Sequence, residues 1–292
     1  MRSDGGVLVL GGTGFLGSHF VRSLGKRAVV HSSRTSNSET NSQQMLFRKN
    51  KLDEIKAFLE KQNCRTIINC IALADIEKCE KDPELADWIN CELPGHLSGI
   101  SKSLDSKFVH ISTDAVFDGS TSYRRETDFP SPLSVYGKTK WNGEQSVMGN
   151  NHDAIVARVN FFGQSKNKTS IFNFFYESLK SGKSVSGFTD VYFTPLYAID
   201  LVNAIMELLN LKGSGLFHVV GSERISKYDF GVLVAETFGF STTFLKADSI
   251  IGKEGSLIRS PDLSLSNDKI KSLGINLPLV RDGLSILKKN MI

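Results

Sequence analysis

Five short, almost uninterrupted apolar runs punctuate the first half of the chain: VLVL from Val7, AVVH from Ala28, TIINCIA from Thr66, KFVHIS from Lys107 and AIVARV from Ala154. Longer stretches with apolar residues at three- and four-residue spacing lie between them. Short β-branched runs alternating with helical periodicity predict βαβ units. Strands that lack polar alternation are those of a parallel sheet covered by helices on both faces. Asp82-Pro83 places an N-cap residue before a proline in the first helical turn, opening a helix to about Leu104. Beyond residue 160 the pattern loosens, with helices predicted near 170–181, 198–211, 226–238 and 279–290. The expected architecture is α/β: a doubly wound parallel sheet over residues 1–163 and a smaller C-terminal lobe over 164–292, with a segment near 196–212 returning to the first domain. The polar tract SNSETNSQQ, 36–44, reads as a mobile surface loop.

Composition narrows the function classes. A chain of 292 residues that is 40% hydrophobic can bury a large core. Its net charge of +4 is spread among 31 acids with no basic stripe, so neither nucleic acid nor a membrane surface is an expected partner. Cys64, Cys70, Cys79 and Cys91 form no CxxC pair and have no histidine cluster beside them, so reduced thiols and no metal are expected. No apolar run approaches the ~20 residues of a membrane span, and the N-terminal VLVL is too short for a signal-peptide core. The expected setting is cytoplasmic.

Candidate chemistry begins at GGTGFLG, directly behind the first predicted strand. Gly11 permits a tight turn out of the strand, Gly14 removes a side chain where a pyrophosphate would meet the next helix, and Gly17 lets helix and strand pack closely. Glycines at this spacing inside a βαβ rhythm predict a Rossmann-type dinucleotide site, with Gly11, Thr13, Gly14, Phe15, Leu16 and Gly17 as its cradle. The acid that would bind an NAD ribose about 20 residues on is replaced by VVHSSR. Ser33 and Arg34 suit a 2′-phosphate instead, so NADP, as NADPH, is the expected cofactor and NAD the alternative.

HISTDAVFDG, 110–119, sets Ser112 and Thr113 at the carboxyl end of a predicted strand, the edge where open α/β sheets bind ligands. In YGKTK, Tyr136 and Lys140 are four residues apart and share a helix face. An ammonium there would lower the phenol's pKa from its usual value of about 10 and assist proton exchange with a substrate oxygen held by Thr113. Glycine turn, strand-end hydroxyl and YxxxK, in that order, predict a hydride-transfer site.

These motifs, with INCIALADIEKCEKDPELADWIN, ETDFPSPLSVYGKTKWNGE, FTPLYAIDLVNAI, GLFHVVGSERISKYDFGVLVAETFG and SLSNDKIKSLGI, resemble the dTDP-4-dehydrorhamnose reductase family of extended short-chain dehydrogenases/reductases over nearly the whole chain. The resemblance implies reduction of the C4 ketone of a nucleotide-linked 4-keto-6-deoxy sugar, with Thr113, Tyr136 and Lys140 as the catalytic triad and Tyr136 as proton donor. It also implies that Lys140 touches the nicotinamide ribose and that Cys70, Ile71 and Ala72 pass beside the cofactor. Asp114, Asn160, Tyr197 and Arg259 become candidates for substrate contact, and a homodimer is an optional partner. Ala115 departs from the family, which usually has tyrosine there; a dehydratase would need glutamate at that position. Asp53 is a candidate for the adenine-side acid, although helix capping explains it equally. Two alternatives stay open: a nucleotide-sugar 4-epimerase, and a non-catalytic NADP-binding regulatory subunit like that of methionine adenosyltransferase.

Overall fold

The computed structural model describes residues 6–32, 43–44, 49–165, 168–251 and 260–291. Two units divide the chain: residues 1–116, 134–157 and 208–216 make the first, and 117–133, 158–207 and 217–292 the second. This differs from the expected boundary at 163 and from the expected return at 196–212. Residues 117–133, which carry no periodic signal, join the second unit, and only 208–216 return to the first.

The first unit is laid down as β1 (Val7–Leu10), α1 (Phe15–Leu24), β2 (Ala28–Ser32), β3 (Gln43–Gln44), α2 (Leu52–Gln62), β4 (Thr66–Asn69), α3 (Ile76–Lys81), α4 (Pro83–Asp87), α5 (Leu93–Ser103), β5 (Lys107–Thr113) and α6 (Val135–Asn150). Strands β6 (Ile155–Val159) and β11 (Gly215–Val219) begin in this unit and run on into the second. Together they form a seven-stranded sheet in the order β11-β6-β5-β4-β1-β2-β3. The pairings of β1 with β2 and β4, of β2 with β3 and of β4 with β5 are all parallel. Seen from the other edge this is the 3-2-1-4-5-6 order of a Rossmann sheet with one strand added, and it reverses at β1 and β4.

The apolar runs earn their place in this sheet by burial: all four residues of β1 are buried, as are Ile67, Ile68, Phe108 and Val109. Leu8, Ile67, Phe108 and Val156 pack with Ile55 and Leu59 of α2, Leu93 and Leu97 of α5 and Val147 of α6. The predicted helix from Pro83 is present but is not uniform. It runs from α4 through a π-helical turn, Trp88–Glu92, into α5, with Asp82 accepting from Leu85 N at 3.0 Å as its cap. Of the polar tract 36–44, only Gln43 and Gln44 fall among the described residues, as β3.

The second unit contains β7 (Phe161–Phe162), α7 (Ile171–Lys180), β8 (Val185–Phe188), β9 (Tyr192–Phe193), β10 (Leu196–Tyr197), most of α8 (Ala198–Asn210), β12 (Ile225–Ser226), α9 (Lys227–Phe238), β13 (Leu245–Asp248), α10 (Asp268–Ser272) and α11 (Val280–Met291). Its small two-stranded pairs surround an aromatic core in which Phe162, Phe172, Phe175, Phe193 and Phe230 are each at most 1% exposed. Phe230 meets Phe162 and Phe193 edge-on at 5.3 and 5.6 Å, the geometry that the ring quadrupoles favour. Among the described residues no helix is long and apolar enough to cross a membrane, and all four cysteines are free thiols.

Candidate active site

Two strand tips define the site in the first unit. The chain leaves β1 through Gly11, whose φ of 77° lies in the left-handed region. A Cβ there would stand 3.1 Å from the carbonyl of Cys70, just past β4. A Cβ on Gly17 would stand 2.2 Å from the Gly11 carbonyl oxygen, so α1 rests directly on the turn. The N-cap of α1 is Gly14, without a side-chain cap and without an acid in the first turn. Helices usually carry Ser, Thr, Asp or Asn at that position; a terminus left bare at a glycine turn suits an anion. Thr13 and Gly14 are exposed and Phe15 is half-buried, while Leu16 is a core side chain that could serve a cofactor only through its backbone. The predicted 2′-phosphate contacts Ser33 and Arg34 lie outside the described residues, as does Arg259. Asp53 stands in the first turn of α2, where helix-dipole stabilisation accounts for it.

The carboxyl ends of β4 and β5 meet helix α6. Helix α6 is capped by Ser134, which accepts from Gly137 N at 3.1 Å. Tyr136, Lys140 and Glu144 then recur every four residues along one face. The hydroxyl of Thr113, at the end of β5, stands near enough to the Tyr136 phenol to favour its ionised form; it donates to Asp114 Oδ1 at 3.1 Å and accepts from Ala115 N at 3.2 Å. Lys140, 1% exposed, donates to Ile111 O at 2.7 Å and lies 3.1 Å from His110 Nε2. Ser112 donates to Glu144 Oε1 at 2.5 Å. Three of the predicted residues, Thr113, Tyr136 and Lys140, thus gather at one sheet edge.

The electrostatics differ from expectation at one point. Burial pushes the half-buried Tyr136 phenol up to about 12, against the opposing influence of the Thr113 hydroxyl, and Asp114 and Cys79 push it further the same way. The expected lowering by Lys140 is absent, because the Lys140 amine is turned to Ile111 and His110. Burial brings Lys140 itself down to about 8, although the Glu144 carboxylate opposes this. Burial also holds Cys70 as a thiol, at about 12. Tyr136 therefore keeps its proton throughout the neutral range, which suits a donor to a strongly basic developing alkoxide.

Four polar residues that sequence reasoning passed over complete the site. Asn69 and His110, both fully buried, stand side by side in the parallel register of β4 and β5. Asn69 Oδ1 accepts from Ile71 N at 3.1 Å, which fixes the strand end bearing Cys70, Ile71 and Ala72. Asn90, in the π-helical turn, accepts from Leu73 N at 2.9 Å and donates to Leu73 O at 3.1 Å and to Thr139 Oγ1 at 3.2 Å. Glu144 is the fourth. The available signal was a polar residue interrupting an otherwise apolar run: Asn in TIIN, His in FVHI, Asn in WINC. Removing the Asn90 side chain leaves the buried Leu73 N–H without its partner, so Asn90→Ala is expected to cost about 1–3 kcal/mol in chemical denaturation.

The remaining substrate candidates separate. Asp114 is buried against Thr113. In the second unit, Asn160 is half-buried and its carbonyl accepts from Leu196 N at 3.0 Å. Tyr197 is only 2% exposed, with its ring 5.7 Å from Phe162. That packing makes its ring part of the aromatic core of the second unit.

Comparison with known proteins follows the same lines. The sequence profile described as RmlD substrate binding domain matches residues 5–291. The chain is 31% identical to "Probable low-salt glycan biosynthesis reductase Agl14" of Haloferax volcanii, over 97% of both chains. It is 29% identical to methionine adenosyltransferase 2 subunit beta of Xenopus laevis, over 77% of this chain and 70% of that one. The crystal structure of dTDP-4-dehydrorhamnose reductase from Bacillus anthracis, in complex with NADP, has the same fold: the TM-score is 0.85 at 20% identity, over 98% of this chain and 99% of the other.

Proposed function

Because the chain belongs to the RmlD substrate binding domain family, we propose that it is an NADPH-dependent reductase of the C4 ketone of a nucleotide-linked 4-keto-6-deoxy sugar. The observation that carries this reading is Thr113 at the end of β5 beside helix α6, whose Tyr136 and Lys140 lie one turn apart, at the carboxyl edge of a Rossmann sheet. The glycine turn and the bare start of α1 fit a dinucleotide pyrophosphate, because Gly14 puts no side chain at the helix start and a side chain at Gly17 would push α1 off the turn. The same fold carries NADP in the Bacillus anthracis reductase. When bound, the nicotinamide supplies hydride to the carbonyl carbon. Thr113 orients the carbonyl oxygen, and Tyr136 gives that oxygen its proton as negative charge develops. Lys140 stands one helical turn along the same face, with its amine held at Ile111 O and beside His110 Nε2.

The direct test mixes the purified chain with NADPH and a panel of nucleotide-linked 4-keto-6-deoxy sugars and follows loss of NADPH absorbance. Turnover with at least one of them is expected; a complete lack of substrate-dependent oxidation sinks the proposal. Cofactor choice is tested separately at Arg34. A charge-assisted contact to the 2′-phosphate is worth about 1.5–3 kcal/mol, so Arg34→Ala should weaken NADPH binding about 10- to 100-fold and leave NADH nearly unchanged. Equal loss of both in a titration would remove Arg34 from the 2′-phosphate site.

The match to methionine adenosyltransferase 2 subunit beta favours a second reading, a non-catalytic subunit that binds the dinucleotide. Such a chain would bind NADPH without consuming it. A 4-epimerase would likewise end its cycle with the cofactor unconsumed.

A further inference from the structure

We infer that His110 is a positioning residue whose tautomer is coupled to the protonation of Lys140, with Asn69 favouring the tautomer that leaves Lys140 a neutral amine. The inference rests on the reading of Tyr136 and Lys140 as catalytic, and it concerns how the charge of Lys140 is regulated.

Hydrogen-bond polarity carries it. The Ile71 amide N–H can only donate, so the Asn69 atom 3.1 Å from it is the carbonyl oxygen. That leaves the Asn69 Nδ2 amide, also only a donor, 3.2 Å from His110 Nδ1. His110 Nδ1 must then accept. A fully buried imidazole held well below its ordinary pKa by burial, and next by Lys140, is neutral, so its one proton sits on Nε2. That N–H faces Lys140 Nζ at 3.1 Å. An ammonium has no lone pair to receive it, whereas a neutral amine does, and the amine can still donate to Ile111 O at 2.7 Å.

Protonating Lys140 reverses the chain. The ammonium needs Nε2 as an acceptor, the histidine proton moves to Nδ1, and it meets the Asn69 amide donor-to-donor. Asn69 must then give up one of its two bonds. The two protonation patterns are therefore exclusive, and the site opposes the charged lysine by more than burial. Among the described residues, the titratable groups that face Lys140 are His110 on β5, Cys70 beyond β4, and Glu144 on its own helix, whose Oε1 accepts from Ser112. Glu144 and then Cys70 favour the ammonium, and burial outweighs both. A pKa of about 8 for Lys140 puts both patterns within reach near neutrality.

The test reads His110 directly. In the full-length chain labelled with [15N]histidine, ring-nitrogen shifts distinguish the two neutral tautomers and imidazolium, and a His110→Gln variant assigns the signal. The Nε2–H form is expected at high pH, converting to the Nδ1–H form as pH falls through the Lys140 titration, with no imidazolium above about pH 6. A single unchanging tautomer across that range, or imidazolium, overturns the inference. Asn69→Asp supplies the second arm, since a carboxylate accepts from Ile71 N and from Nδ1–H alike. It should lock the Nδ1–H form and move the Lys140-dependent limb of the kcat/KM pH profile upward by at least one unit, tenfold in proton affinity. An unmoved limb with wild-type tautomer behaviour would also overturn it. The spectra need no turnover, so absence of reductase activity would refute the proposed function and leave the tautomer coupling to be decided by the spectra alone.

Discussion

Tyr136→Phe is expected to lower kcat by about 10²- to 10⁴-fold, the usual worth of a positioned general acid, and to leave the NADPH dissociation constant within about threefold of wild type. The change removes one oxygen and keeps the ring, so the packing of Tyr136 against Leu73, Cys79 and Ala86 survives. What is lost is the proton that burial keeps on the phenol, together with the influence of the Thr113 hydroxyl on it. Both matter only as charge develops on the substrate oxygen, so kcat and kcat/KM should fall together. Stopped-flow reduction with one candidate sugar, beside a fluorescence titration of NADPH, measures both quantities. Wild-type turnover in the variant would remove Tyr136 as proton donor. A matching loss of NADPH affinity would make it a cofactor-binding residue.

For Gly17→Ala the expected loss is of the turn itself. The added methyl would sit 2.2 Å from the Gly11 oxygen, 2.8 Å from the Gly11 carbonyl carbon and 2.9 Å from the Gly12 Cα, all backbone atoms with no flexible side chain to move aside. Relief requires α1 to lift from the turn, at a destabilisation of about 1–3 kcal/mol, the usual cost of overpacking. The same displacement carries the α1 amides away from the pyrophosphate position. A hundredfold excess of ligand over its Kd stabilises a folded protein by about 2.7 kcal/mol. Wild type should show that gain with NADPH in thermal or denaturant unfolding, and Gly17→Ala at the same ligand concentration should not. A variant that unfolds as wild type does and is equally stabilised by NADPH would mean that the helix and turn are not held in contact.

Strands β1, β4 and β5 were legible because a strand covered on both faces has almost no polar position, and VLVL, TIIN and KFVHIS have that form. Helix α6 is different. Its buried residues are Gly137, Thr139, Lys140, Gly143, Glu144 and Val147, nearly devoid of aliphatic side chains, so apolar periodicity could not mark it and only the YxxxK spacing did. The packing of Tyr197 was not legible because a local motif carries no information about it, and its ring belongs to the aromatic core of the second unit. The expected effect of Lys140 on Tyr136 failed for a related reason. Spacing put the two on one helix face, but the direction of the amine is decided by His110 and Ile111, which precede it by 30 and 29 residues.

By itself, then, the amino-acid sequence determined what depends on neighbours along the chain: the alternation of strand and helix, the glycine turn that only residues without a Cβ can form, and the order of hydroxyl, phenol and amine. The three-dimensional structure alone decided which buried polar groups face one another across β4, β5 and α6, and with that the proton content of Tyr136 and Lys140. The reason is physical. Backbone propensity acts over a few residues, whereas desolvation and hydrogen-bond polarity are set by atoms that become neighbours only when distant segments pack.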